Sequence, residues 1–297
     1  MKILRNKILI LLIFSIVGIT AYSQNKYPRF QKPGIPMVCY GDNRVAKTFV
    51  PPPNKFLKSL SPAADKSADI IVTYNGFTSD ARKAFQQAVD IWETLIESPV
   101  PIYMEANWED LGETTLGSCV AGNYYLGLFL GARLPLAYYP LAVAEKMAKS
   151  DINLPGEPDL IANFSSTASW YYGSDGQTPV GTHDLVSVVM HEIAHGIGFI
   201  GTMGLFDSNT GAYGDENGLV IAYDEYIENL SGIPLVDTTV YDNPSNALYQ
   251  AMTSGALYYN SPVTLYNNAN TRPKLWAPGE FAPGSSIYHL DEFKYSS

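Results

Sequence analysis

The chain has 297 residues, of which 46% are hydrophobic and 16% are charged, and its formal net charge is −10. This hydrophobic content is enough for a packed core, in one large domain or two small ones, and excludes an intrinsically disordered polymer. The acidic balance argues against binding to nucleic acid or to anionic lipid, because both carry negative charge themselves.

The first predicted element is a secretory signal peptide at residues 1–23. Lys2, Arg5 and Lys7 form a basic start, and a largely apolar run of 14 residues follows at 8–21. That run is shorter than the roughly 20 residues that span a bilayer, which favours cleavage over a membrane anchor. Cleavage changes the net charge from −10 to −13, because the removed segment has three basic residues and no acid. A secreted protein is expected, with no membrane contact afterwards and with its oligomeric state open.

The next segment, residues 24–66, is rich in Pro, Lys and Ser and indicates an extended leader or a short pro-segment. Cys39 lies in this segment, and Cys119 lies in the main body of the chain. In an oxidising compartment, two cysteines predict one disulfide that ties the leader to the body. The alternative is that the Cys39 thiolate caps a metal ion before activation.

A strand, a helix and a second strand are predicted where the ordered body begins. Apolar residues indicate strands at residues 70–74 and 100–108. Between them, apolar residues recur at helical spacing over residues 81–96, with Thr78 or Ser79 as the N-cap. A crossover helix between two strands favours a βαβ unit with parallel strands.

The centre of the chain is less regular. Residues 111–158 look rich in loops and have no clear pattern, whereas residues 159–169 predict a further strand. A helix is then expected from about Asp184 to His195, capped by Thr182. Asp184 is expected in the first turn, where the helix dipole favours a carboxylate.

The part of the chain that follows Gly201 shows little regular pattern. Residues 219–229 stand out, and a short helix is expected to begin near Pro244 and to end at Ser254–Gly255. No internal repeat is visible. The sequence therefore predicts an irregular C-terminal part.

The helix of the central part carries an HExxH motif, formed by His191, Glu192 and His195. Residues four apart on a helix are rotated by only about 40°, so both imidazoles can reach one metal ion, and Zn²⁺ is the expected ion. Glu192 would lie beside the metal, where it can take a proton from water and pass it to a leaving amine. An incidental pair of histidines is disfavoured, because the chain has only 4 histidines and the helix is otherwise mostly apolar.

A catalytic zinc site needs a third protein ligand. Many enzymes of this kind carry a histidine three residues after Gly198, but this chain has Gly201 there. His183 lies two helical turns from the histidine pair, which is too far. Two candidates are left, Asp207 in a polar, Gly-rich stretch and His289 far along the chain, and the residues themselves do not choose between them.

Gly198 extends the motif to HExxHxxG and permits a sharp turn with positive φ, although an ordinary glycine C-cap would use the same residue. The stretch HEIAHGIGF resembles the zinc helix of leishmanolysin-type metzincins and related secreted bacterial proteases. In those families a long insertion follows the helix, and the third histidine comes from a later segment. The resemblance implies that residues 202–280 are the insertion and that His289, in GSSIYH, is the third ligand, with Asp207 as the alternative.

The resemblance also implies the fold class. This is an α+β fold of the metzincin kind, with an N-terminal twisted sheet, two long helices (one carrying HExxH) and an irregular C-terminal subdomain. The catalytic domain is expected at residues 67–297, divided into subdomains at 67–201 and 202–297. The strand at residues 159–169 is expected at the edge of the sheet, where it pairs with an extended substrate. Metzincins carry a methionine turn after the third ligand, and none follows His289. Either the chain is truncated before that turn, which is the expectation, or His289 is not the third ligand.

The sequence thus predicts a secreted zinc endopeptidase that acts on protein or peptide substrates with Glu192 as general base and acid. One alternative is a non-catalytic, zinc-stabilised binding or adhesion module, which would bind zinc without turnover. Another is a different zinc hydrolase, such as an amidase. Glu192 favours an enzyme, because a binding module needs no carboxylate beside the metal.

Overall fold

The computed structural model describes residues 29–30, 38–40, 67–291 and 294. The predicted signal peptide at residues 1–23, most of the leader at 24–66 and the last few residues lie outside these ranges. Within them, no helix is both long enough and apolar enough to cross a bilayer.

The described residues form a mixed α+β structure, which confirms the expected class. In chain order the strands are β1 (Arg29–Phe30), β2 (Val38–Tyr40), β3 (Ile70–Asn75), β4 (Ile102–Glu109), β5 (Thr115–Ala121), β6 (Tyr124–Leu126), β7 (Tyr138–Pro140), β8 (Leu160–Ser165), β9 (Trp170–Tyr171), β10 (His183–Asp184), β11 (Gly204–Asp207), β12 (Thr210–Ala212), β13 (Ile227–Asn229), β14 (Leu257–Tyr259) and β15 (Lys274–Leu275). The helices are α1 (Ser79–Leu95), α2 (Leu141–Ala148), α3 (Leu185–Ile197), α4 (Asn246–Met252) and α5 (Pro262–Asn267), with a short 3-10 helix at Asp224–Tyr226.

The largest sheet has the strand order β2–β5–β8–β4–β3. Strands β3, β4 and β8 are parallel to one another, β5 is antiparallel to β8, and β2 is antiparallel to β5. The predicted unit of two parallel strands joined by a helix is confirmed, since β3 and β4 pair in parallel and α1 connects them.

Helix α1 forms where the apolar spacing predicted it. The side chain of Thr78 accepts a hydrogen bond from the backbone N–H of Ala81 at 3.2 Å, which confirms Thr78 as the N-cap. Ala81, Phe85 and Ala88 are buried on one face of the helix. This face packs in the same apolar core as α3 and the sheet, and so it fixes the position of α3.

The expectation that residues 111–158 are rich in loops and have no clear pattern is wrong in part, because β5, β6, β7 and α2 lie there. Strand β5 has the sequence TLGSCVA. Its small residues leave room for side chains of other elements that lie close to its backbone. A Cβ atom on Gly117 would lie 2.8 Å from the ring of Phe164, and Cys119 is completely buried. Small side chains therefore suit the strand, but they do not give the alternation of large apolar residues from which strands are predicted.

The expectation that the strand at residues 159–169 lies at the sheet edge is also wrong. The observed strand, β8, pairs with β4 on one side and with β5 on the other. Its backbone groups are used by both neighbours, so it cannot pair with a substrate. Strand β5 has β8 on one side, and on the other it carries β2, which comes from the leader.

The predicted disulfide is not formed, because Cys39 and Cys119 are both thiols in the structure. Cys39 lies opposite Gly117, two residues before Cys119, so both cysteines face the same side of the sheet. Burial raises the pKa of the Cys119 thiol well above its usual range, which makes this thiol unreactive.

The C-terminal part is built around a second apolar core. Strand β14 lies between β13 and β15 in a three-stranded sheet, and α4 begins after Ser245, whose side chain accepts from the Leu248 N–H at 3.0 Å. The predicted short helix is therefore present, but it begins two residues after Pro244 and ends at Met252. This part carries the segment that contains His289.

Candidate metal centre

Helix α3 presents the HExxH residues. Asp184 is its N-cap, because the carboxylate accepts a hydrogen bond from the Ser187 N–H at 2.7 Å. The prediction of Thr182 as the cap is wrong, since the Thr182 hydroxyl donates to the Pro179 carbonyl instead. Gly198 ends the helix with φ of +145°, which confirms the expected positive φ.

The structure brings His191, His195 and His289 together. The Nε2 atom of His191 lies 3.2 Å from Nε2 of His195 and 3.1 Å from Nε2 of His289. These three histidines form the group of metal-ligand side chains found among the described residues. The third imidazole comes from 98 residues beyond the first, as the resemblance implied.

The spacing of the three nitrogens fits a tetrahedral metal ion. Zinc binds imidazole nitrogen at about 2.0–2.1 Å, so two nitrogens of one tetrahedral site lie about 3.3 Å apart. The observed separations of 3.1 and 3.2 Å are close to this value. Three nitrogens leave one corner of the tetrahedron open, which is typical of catalytic rather than structural zinc.

Backbone carbonyls select the tautomer of two of these rings. The Nδ1 atom of His195 lies 2.7 Å from the Phe199 carbonyl oxygen, and that of His289 lies 2.7 Å from the Ser285 carbonyl oxygen. A carbonyl only accepts, so each Nδ1 carries the hydrogen and each Nε2 has an available lone pair. Such outer hydrogen bonds orient histidine ligands in known metal sites.

The two helical histidines are held in the neutral form. Burial, together with the neighbouring imidazoles, lowers the pKa of His191 to about 3. Burial and the ring of His289 lower the pKa of His195 to about 4. Neutral imidazole is the form that binds a metal, so these rings are prepared for a cation at neutral pH.

Glu192 is completely buried next to the first histidine. Neither of its carboxyl oxygens has a hydrogen-bond partner of good geometry among the described residues. Burial raises the pKa of Glu192 well above its ordinary value, and the nearby backbone amide of Cys119 only partly offsets this. A buried carboxyl without a partner is costly for stability, which indicates a role outside the packing of the chain.

Other candidate residues lie outside this group. Asp207 is exposed on β11, where its carboxylate accepts from the Asn209 N–H at 3.0 Å, so the structure does not place it as the third ligand. His183 lies on β10, with its ring 6.2 Å from that of Trp170. Cys39 is not among the grouped ligands, and the structure therefore does not place its thiolate on the metal.

The sequence did not point to a polar contact behind His289. The hydroxyl of Tyr288 donates to Asp224 at 2.8 Å, and Asp224 also accepts from the N–H and the hydroxyl of Thr202, each at 2.7 Å. Asp224 is completely buried, and burial raises its pKa to about 6 although the donors oppose the shift. The one signal in the sequence was Gly201, a glycine at the position where enzymes of this kind usually carry the third histidine. That glycine did not indicate that Tyr288 and Asp224 form a hydrogen bond.

The comparisons with known proteins are limited to part of the chain. Residues 74–210 match a family model described as SPBPB7E8-like. This range includes the HExxH motif and ends before His289. The chain is also 36% identical over 69 residues to "Uncharacterized protein PB7E8.01" of Schizosaccharomyces pombe, which covers 23% of this chain and 12% of the yeast protein. No solved structure matches the chain.

Proposed function

We propose that the protein is a secreted zinc endopeptidase of the metzincin, leishmanolysin-like kind. The observation that carries the proposal is that Nε2 of His191 lies 3.2 Å from Nε2 of His195 and 3.1 Å from Nε2 of His289. The residue after His191 in the chain is Glu192, whose buried carboxyl has no hydrogen-bond partner of good geometry among the described residues. The HExxHxxG motif and the remote origin of His289 support the metzincin assignment. Zinc would be held by His191, His195 and His289, and the open fourth corner would face water and substrate.

The chain provides the proton transfer. When bound, zinc supplies a Lewis acid that lowers the pKa of water and polarises a carbonyl. The charge of a bound cation would favour the ionised carboxylate over the acid that burial alone favours. In that form Glu192 would accept the proton of the attacking water and then donate it to the nitrogen of the leaving amine. Its burial excludes competing water, and no described residue makes a hydrogen bond of good geometry to either oxygen, so both are available for this exchange.

An extended substrate would pair with the outer edge of β5, where β2 now lies. Strand β5 adjoins α3, because a Cβ atom on Gly196 would lie 2.5 Å from the sulfur of Cys119. An antiparallel partner of β5 therefore lies close to the helix that carries the histidines. Because Val38–Tyr40 takes this position, the leader would compete with substrate, as a pro-segment does.

We expect the double variant Val38→Pro/Cys39→Pro to cleave an extended peptide faster than wild type. Successive amides of a strand point to opposite sides, so one of these two faces β5, and proline removes it. The loss of one such hydrogen bond is about 1 kcal/mol, which corresponds to a rise of about fivefold in kcat/KM. Val38→Ala/Cys39→Ser keeps both amides and is the control. Equal rates for both variants would mean that β2 does not compete with substrate.

Removal of the metal tests the proposed function itself. We expect a chelator such as 1,10-phenanthroline to abolish digestion of casein and to lower the temperature of unfolding, because zinc stabilises only the folded state. Zn²⁺ should restore both, whereas Ca²⁺ and Mg²⁺ should not, because those ions prefer oxygen ligands to imidazole. Digestion that continues after zinc has been removed would contradict the proposal.

The same experiment separates the alternatives. Tight zinc binding and a raised unfolding temperature, without cleavage of any protein substrate, would support a zinc-stabilised binding module. Cleavage of a small amide but not of casein would support another zinc hydrolase. No described feature favours either over an endopeptidase, and the unpartnered carboxyl of Glu192 favours an enzyme.

A further inference from the structure

The position of His289 has to be fixed by something other than the zinc helix. His191 and His195 are held in place by α3, but His289 lies 98 residues beyond His191 and outside the helices and strands. A ligand that wanders by about 1 Å cannot complete a tetrahedral site, because metal–nitrogen distances vary by only about 0.2 Å. The neighbours of His289 therefore decide whether the site forms.

The backbone around His289 is attached to β15. The N–H of Trp276 donates to the His289 carbonyl at 2.9 Å, and the N–H of Ile287 donates to the Trp276 carbonyl at 2.8 Å. Ile287 is completely buried and has φ of +77°, a conformation that β-branched residues rarely adopt. Such strain persists only where the surroundings impose it, and it occurs mainly at functional positions. These hydrogen bonds hold the turn but leave its distance from α3 undetermined.

Tyr288 connects this turn to the chain that leaves α3. Its side chain is 4% exposed, and its hydroxyl accepts from the Met203 N–H at 2.7 Å while it donates to Asp224 at 2.8 Å. Asp224 in turn accepts two hydrogen bonds from Thr202. The residue next to the third histidine is thus bonded to the segment that follows the first two.

Gly201 makes this connection possible. A Cβ atom there would overlap the Oδ1 atom of Asp224 and would lie 2.5 Å from the Tyr288 hydroxyl. A histidine at position 201 and the bond between Tyr288 and Asp224 therefore exclude each other. Position 201, where a local third ligand would lie, is thus occupied by a glycine that leaves room for Tyr288. Tyr288 belongs to the segment that brings the remote ligand, His289.

We propose that Tyr288 and Asp224 are positioning residues that set His289 at the distance a metal ion requires from His191 and His195. The proposal rests on the metal centre of the proposed function and does not depend on peptide cleavage. It assigns to the Tyr288 hydroxyl no contact with metal or substrate. The hydroxyl acts through the backbone of His289.

The test is the affinity for zinc of the full chain, measured by competition with a chromophoric chelator. Tyr288→Phe removes one hydroxyl, and we expect zinc to bind 10–100-fold more weakly, the range found when outer partners of ligands are removed. Asp224→Asn should act in the same direction. The matched control is Tyr213→Phe, because the Tyr213 hydroxyl is bonded to the Val236 carbonyl at 3.2 Å, away from the site. This control should bind zinc as wild type does.

A double-mutant cycle distinguishes positioning from a general loss of stability. In a His289→Ala background, Tyr288→Phe should cause no further loss of zinc affinity, because the ring that it positions is already absent. The visible spectrum of the Co²⁺-loaded Tyr288→Phe protein should shift toward that of His289→Ala. If Tyr288→Phe does not fold, Thr202→Val provides the same test, with Thr202→Ser as the conservative rescue.

The outcomes separate the two proposals. Wild-type zinc affinity in Tyr288→Phe and Asp224→Asn, with wild type binding zinc, would overturn the positioning role and leave the metal centre intact. An equal loss of affinity in the presence and absence of His289 would also overturn it. Failure of the wild-type chain to bind zinc would overturn the metal centre together with the positioning role.

Discussion

Glu192→Gln is expected to retain zinc and to lose at least 10²–10⁴-fold of the peptidase activity, the usual contribution of a general acid–base group. Glutamine has nearly the same shape as glutamate but cannot accept the proton. The folded state should not suffer, because the Glu192 carboxyl is buried and lacks a hydrogen-bond partner among the described residues. A neutral amide avoids the cost of burying a charge there, so the unfolding temperature should stay the same or rise.

The measurements are the zinc content of the purified protein, kcat/KM for a peptide and the unfolding temperature. Glu145→Gln is the matched control, because Glu145 is also buried but lies on α2, where it accepts from the Ile152 N–H at 3.0 Å. This variant should cleave peptides as wild type does. Undiminished cleavage by Glu192→Gln would remove Glu192 from the mechanism. Unchanged zinc content with no cleavage by wild type would favour a binding module.

His289→Ala is expected to lose both zinc and activity. Two imidazoles would remain, and zinc affinity should fall by more than the roughly 100-fold that removal of an outer partner costs. Activity should fall with the zinc occupancy, because the carboxylate of Glu192 has no activated water to deprotonate without the metal. Zinc content and casein digestion should therefore decrease together.

His183→Ala provides the control for removal of a histidine. His183 lies on β10 with its ring near that of Trp170, and it is not in the metal-ligand group. It should keep its zinc and its activity. A His289→Ala protein that binds zinc normally and digests casein would show that His289 is not a ligand, and the third position would then have to be sought again.

Local patterns in the sequence were sufficient for α1 and α3, because each helix displays its apolar face at regular spacing. Thr78 was identified as a cap for the same reason, since its partner, the Ala81 N–H, is only three residues away. Asp184 shows the limit of this reasoning. Thr182 and Asp184 are both suitable cap residues, and the choice depends on where the chain leaves β10.

The order of strands in the sheet could not be predicted from any single segment. The sequence of β8 is typical of a strand both at the edge and in the interior of a sheet. It lies in the interior because β5 pairs with its second side. Strand β5 was not predicted, because its small residues are required by close contacts with side chains that are distant in sequence, such as Phe164. The position of Val38–Tyr40 beside β5 is likewise a long-range result.

The three histidines of the candidate metal centre were predicted, but the contacts that support His289 were not. The spacing of His191 and His195 is local, and the resemblance to a known family supplied His289. The bonds of Tyr288 to Asp224 and Met203 join residues 64 and 85 positions apart, and a single sequence carries no sign of them. Interactions at such separations can only be seen once the chain is folded.

The remote origin of His289 has a consequence for the order of events during protein synthesis. A growing chain that has not yet reached residue 289 offers a metal ion only two of the three imidazoles, those of His191 and His195. The third imidazole lies 98 residues beyond the first. Two imidazoles retain zinc weakly, so firm loading has to wait until residue 289 has been synthesised and its segment has folded against helix α3. Until then a nascent chain has only an incomplete site for the metal ion.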